Sequence, residues 1–111
     1  MNIYDTVNKL AIEIKQSEEY VNYKMAKQVI ALKPELKKQI TEFEKERYNL
    51  QIMVMQTGKN DEKKLEEMKK TYEELIEEPN AKKFLETEAK FNILMTDINK
   101  IIGESIKDVL E

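Results

Sequence analysis

Only four residues among 111 are strong helix breakers: Pro34, Gly58, Pro79 and Gly103. Strands joined by tight turns need Gly or Pro at most reversals, so this scarcity disfavours an all-β fold. The stretches between breakers are left to form helices. Charged residues make up 37% of the chain, above the usual quarter, while 41% is apolar. High charge with that much apolar content means striped helices, not disorder. One domain spanning 1–111 is expected at this length.

The stripes follow helical spacing. Ile3, Val7, Leu10 and Ile14 fall four, three and four apart, on one helix face. Asn2 is placed to cap that helix, with Asp5 in its first turn. Ser17-Glu18-Glu19 is a second helix start, marking a break or a bend near Ser17. The helix after it, to about Ala31, carries Tyr20, Tyr23, Lys27 and Ile30 on one side. Lys33-Pro34 ends it and opens the next. That helix carries Leu36, Ile40, Phe43, Leu50, Val54 and Thr57 in a 4-3 alternation interrupted by Arg47, and Gly58 supplies its left-handed C-cap. Asn60 or Asp61 can cap a fourth helix, with Leu65, Met68, Tyr72, Leu75 and Ile76, that stops at Pro79. Asn80 is expected to cap a fifth. Its seam is Phe84, Glu88, Phe91, Met95, Ile98, Ile102, Ser105 and Val109, a 3.5-residue period suited to left-handed helix packing. Gly103 weakens this helix by only ~1 kcal/mol. The expected fold is all-α: about five helices in an elongated helical bundle, two of them long, near 34–57 and 80–110.

Length adds an argument for self-association. A helix over 80–110 measures roughly 45 Å at ~1.5 Å per residue. A compact globule of this size has a radius of gyration of about 13 Å, hence a diameter of roughly 35 Å. The apolar seam nevertheless continues to Val109. A second copy is the economical cover, because two-fold homodimers are the commonest oligomers; a partly exposed C-terminal end is the alternative. The expected self-association or partner seam is Phe84, Glu88, Phe91, Met95, Ile98, Ile102 and Val109, with Phe43, Arg47, Leu50 and Val54 on the other long helix.

The chemical inventory argues against catalysis. Histidine and cysteine are absent, removing the imidazole base, the thiol nucleophile and ordinary zinc sites. The two glycines are too far apart for a phosphate-cradling loop. Glu88 on a seam invites comparison with carboxylate metal bundles, but those use Glu-x-x-His motifs. No enzyme and no cofactor are expected. Arg47 either pairs with Glu88 across a helix interface or lies at an edge with its stem packed and its head in water. The methionines, Met53, Met55, Met68 and Met95 among them, are core by default and an adaptable groove otherwise. Net charge is −3, and residues 59–78 account for all of it, with eight acids against five lysines. No basic face emerges for a phosphate backbone, which disfavours nucleic-acid binding. The acid-rich run reads as a solvated helix face with Glu-to-Lys support. No apolar run reaches the roughly 18 residues of a membrane helix, and the opening MNIYDTVNKL lacks a signal-peptide pattern. A cytoplasmic protein off the membrane is expected.

Several motifs point to a family. Asn2-Ile3-Tyr4-Asp5, the Ser17-Glu18-Glu19-Tyr20 helix start, Gly58 after a Gln/Met-rich helix end, and Glu88-x-x-Phe91-Asn92 followed by Asp97-Ile98-Asn99-Lys100-Ile101-Ile102 occur in an order that resembles the YlbF/YmcA family of small bacterial helical proteins. The YheA-like branch is the most similar. The resemblance implies an all-helical, dimer-forming protein without catalytic residues. It also implies a regulatory or adaptor role: YlbF and YmcA act with YaaT to modulate ribonuclease Y, and so mRNA processing, competence, sporulation and biofilm formation. The cysteine-bearing tail that YlbF-type members use with an iron–sulfur cluster has no counterpart here. No single functional residue carries over. Two other readings stay open: a holdase-like coiled-coil chaperone, and a nucleic-acid-binding regulator.

Overall fold

The computed structural model describes residues 2–110 and is all-α, with no strand among them. The helices are α1 (Ile3–Gln16), α2 (Glu18–Ala31), α3 (Pro34–Thr57), α4 (Glu62–Leu75), α5 (Pro79–Ser105) and α6 (Lys107–Leu110). They fall into two compact units, one of residues 2–27 with 84–110, the other Gln28–Lys83.

In the first unit, the Asn2 side chain accepts from the Tyr4 amide at 2.8 Å and starts α1. Ser17 separates α1 from α2 as a true break, with extended backbone at ψ 150°. Its hydroxyl serves both ends, donating to the Ile14 carbonyl at 2.6 Å and accepting from the Tyr20 amide at 3.2 Å. One serine thus satisfies an orphan acceptor of one helix and an orphan donor of the next.

In the second unit, α3 and α4 form a hairpin. Pro34 occupies the first turn of α3, and Gly58 closes it in the left-handed region at φ 70°, its amide donating to the Val54 carbonyl. Asp61 caps α4 by accepting from the Lys64 amide at 3.1 Å. The α3 stripe is the core of this unit: Leu36, Ile40, Phe43 and Leu50 are buried, Ile40 to 2% exposure. Leu75 is buried on α4, and the Phe43 and Tyr72 rings lie 5.9 Å apart.

Three helix ends differ from expectation. α4 stops at Leu75, not at Pro79, because its last turn tightens: Glu78 donates back three residues to Leu75 at 3.1 Å. Proline also disfavours helical geometry at Glu78, the residue before it. Asn80 does not cap α5. Pro79 takes the first helical position, and the Glu78 carboxylate accepts from the Ala81 amide at 2.9 Å while Asn80 donates to that same carboxylate. The helix expected over 80–110 ends at Ser105, two residues past Gly103, and α6 is a separate turn. At this end the Ser105 hydroxyl donates to the Ile102 carbonyl at 2.7 Å.

A Cβ at either glycine would meet nothing within 4 Å, so backbone preference alone decides substitution there. Gly58→Ala should lower unfolding free energy by ~1–2 kcal/mol through left-handed strain. Gly103→Ala, inside α5, should raise it by up to ~1 kcal/mol. Urea midpoints moving in opposite directions at unchanged slope would verify both.

Candidate protein-interaction surfaces

α2 presents Tyr20 and Tyr23 three residues apart; α5 presents Phe84, Glu88 and Phe91 at intervals of four and three. These spacings place each set on one helix face. In the first unit the two faces meet. Tyr20 lies 6.0 Å from Phe91 edge-on, and Tyr23 lies 5.7 Å from Phe84 and 5.6 Å from Phe91. The earlier α2 residue meets the later α5 residue, so the helices run antiparallel here. Each ring pair contributes ~0.5–1.5 kcal/mol beyond its area.

Glu88, 8% exposed, sits inside this aromatic patch and accepts a long hydrogen bond from the Tyr23 hydroxyl at 3.4 Å. The Lys27 ammonium lies 5.6 Å from the Tyr23 ring centroid, a cation–π arrangement at the same ring. Among the described residues no group of three or more acids converges to hold a metal ion. The two tyrosines were not among the expected seam residues. Their 3-residue spacing was the available signal.

Farther along the α5 seam, cover falls away. Phe84 is buried, Phe91, Met95 and Ile98 are half-buried, Ile102 is 49% exposed and Val109 on α6 is 78% exposed. α1 shows the same gradient in reverse: Leu10 and Ile14 are half-buried, while Ile3 is 71% and Val7 55% exposed. Ile101 and Leu110 are exposed as well. The first unit therefore leaves large apolar side chains uncovered at the start of α1 and at the end of α5 with α6.

In the second unit, Phe43 and Leu50 are buried, and Arg47 and Val54 are half-buried. The Arg47 guanidinium lies 5.6 Å from the Phe43 ring centroid, so its planar head is laid against an aromatic face while its stem packs. No described helix is long and apolar enough to cross a membrane.

A family model described as control of competence regulator ComK, YlbF/YmcA, matches residues 3–107. Similar full-length proteins include a UPF0342 protein of Desulfitobacterium hafniense, 33% identical over 99% of this chain and 89% of its own length. Another, from Symbiobacterium thermophilum, is 31% identical over 94% of this chain and 93% of its own. A third, from Halothermothrix orenii, is 36% identical over 92% and 86%. None of these descriptions names an enzymatic activity.

The aromatic junction should dominate the stability of its unit. Phe84→Ala should cost ~3–5 kcal/mol, whereas Tyr23→Phe, which removes one donor to buried Glu88, should cost ~1–3 kcal/mol. Equilibrium urea unfolding followed by circular dichroism would rank them.

Proposed function

The chain belongs to the YlbF/YmcA family, and from that premise we propose that it is a non-enzymatic adaptor whose helix faces bind a second copy of itself and other regulatory proteins. The family description links its members to control of a competence regulator, a regulatory role in general terms. The proposed partners beyond a second copy are, from the resemblance, regulators of ribonuclease Y.

The observation that carries this reading is the uncovered apolar surface of the first unit, with Ile3, Val7, Ile101, Ile102, Val109 and Leu110 half to more than three-quarters exposed. Covering six such side chains on each of two copies is worth on the order of 10–20 kcal/mol at ~25 cal/mol per Å². Association itself costs ~4–15 kcal/mol, so apolar cover on this scale is what a stable dimer needs.

Light scattering over a concentration series tests it. The protein should have twice the chain mass, and Ile102→Glu with Val109→Glu should return it to the chain mass with helical content unchanged, since both positions are exposed. A monomer at every concentration would refute the dimer.

A further inference from the structure

The α3–α4 hairpin of the second unit is open along one side. Two hollows there, of about 400 and 230 Å³, share Glu46 and so form one groove. Its floor is apolar: Leu36, Phe43 and Leu75 under the larger hollow, Leu50, Met53 and Met68 under the smaller. Met53 and Met68 are half-buried, leaving flexible, polarizable side chains in reach of an occupant. From Leu36 to Met53 the groove follows α3 for about 25 Å at ~1.5 Å per residue, enough for four to five turns of another helix.

The rim is acidic. Glu42, Glu46, Glu67, Glu74 and Glu78 line it, with Lys64 the single lysine among the lining residues of the two hollows. Glu78 is already engaged at the start of α5, and the other four carboxylates are exposed. Off the groove the same helices mix both signs, with Glu44, Glu62, Glu66 and Glu73 among the lysines. Lys38 and Lys45 on α3, and Lys63 and Lys70 on α4, are not among the lining residues. Around the apolar floor the balance is five glutamates, Glu42, Glu46, Glu67, Glu74 and Glu78, to one lysine, Lys64.

We propose that this groove binds a lysine- or arginine-rich amphipathic helix of a partner protein. Apolar residues of that helix at i, i+3 or i+4, and i+7 rest on the leucine, phenylalanine and methionine floor. Its flanking cations meet Glu42, Glu46, Glu67 and Glu74, which sets orientation and on-rate. A phosphate backbone is repelled by the same rim. The proposal rests on the reading of the chain as a partner-binding protein, at a surface distinct from the apolar ends of the first unit.

The probe is a labelled 18-residue synthetic peptide with leucines at helical i, i+3, i+4, i+7 spacing and lysines elsewhere, beside a matched peptide with glutamate in place of lysine. Titrated with the full chain, the lysine peptide should bind by ~tenfold or more tighter than the glutamate peptide, and more weakly as salt rises. Glu46→Lys with Glu74→Lys should reduce lysine-peptide affinity by ~tenfold or more, and Met68→Ala should also weaken it. Glu66→Lys with Glu73→Lys, the same charge change at exposed α4 positions outside the groove lining, should leave it nearly unchanged. Equal affinity for both peptides, or equal loss in the two charge-reversed pairs, overturns the proposal. Loss of binding only in the Ile102→Glu, Val109→Glu protein also overturns it, because the peptide would then sit on the first unit. Mass measured on the same samples separates the two readings. A dimer that binds neither peptide refutes the groove alone, and a dimer lost on Glu46→Lys with Glu74→Lys means a second copy occupies it, which refutes the basic partner.

Discussion

An α-helix satisfies its backbone within itself but cannot bury its own apolar stripe. In a chain with four strong breakers, every stripe must therefore find a second helix. Where a second stripe lies in the same unit, it does. The α3 residues Leu36, Ile40, Phe43 and Leu50 are buried beside α4, and Phe84 and Phe91 of α5 close against Tyr20 and Tyr23 of α2. Where the stripe outruns its neighbours, at Ile3 and Val7 or at Ile102 and Val109, it stays exposed. The same rule yields both the core and the uncovered surface. What differs is only whether this chain supplies the second helix.

Local determinants were readable from the residues alone. Pro34 and Gly58 bound α3 because one requires φ near −65° and the other accepts a positive φ. Ser17 divides α1 from α2 because its hydroxyl can bond in both directions. The 4-3 spacing of Leu36 to Leu50 identified a buried face correctly, since that periodicity is a property of the helix and not of its partner. One misreading falls where two local bonds compete. Asn80 is the better N-cap by side-chain preference, yet Pro79 pre-sets the first turn one residue earlier, and Glu78 is left to accept the Ala81 amide. Ser105 looks like an ordinary seam position in the heptad pattern. The apolar spacing continues to Val109, so periodicity did not mark the end of α5 at Ser105.

Partner choice between helices was not readable. Tyr20, Tyr23, Phe84, Glu88 and Phe91 each fall on a predictable face, but nothing in either spacing says that these two faces meet. The charge balance around the α3–α4 groove has the same origin. Along α4 alone, Glu67 and Glu74 alternate with lysines and read as solubilising polarity. Only when α3 lies alongside, bringing Glu42 and Glu46 to the same opening, does a predominantly acidic rim appear. A property of two helices is not contained in the periodicity of one.

The two surfaces ask different things of a partner. Ile102, Val109, Ile3 and Val7 offer apolar area with little directional chemistry, which favours a match as extensive and as apolar as themselves; a second copy meets that requirement by symmetry. The α3–α4 groove instead frames a narrow apolar floor with predominantly acidic side chains, so an acidic helix of the same shape is rejected by repulsion even where its apolar residues fit. Methionine at the floor relaxes the demand on shape while the carboxylates tighten the demand on sign. On this reading a helical adaptor without catalytic groups discriminates between partners by dividing the two demands. Association with itself then depends on apolar area and persists in salt, and recruitment of an unlike helix depends on charge and weakens with it.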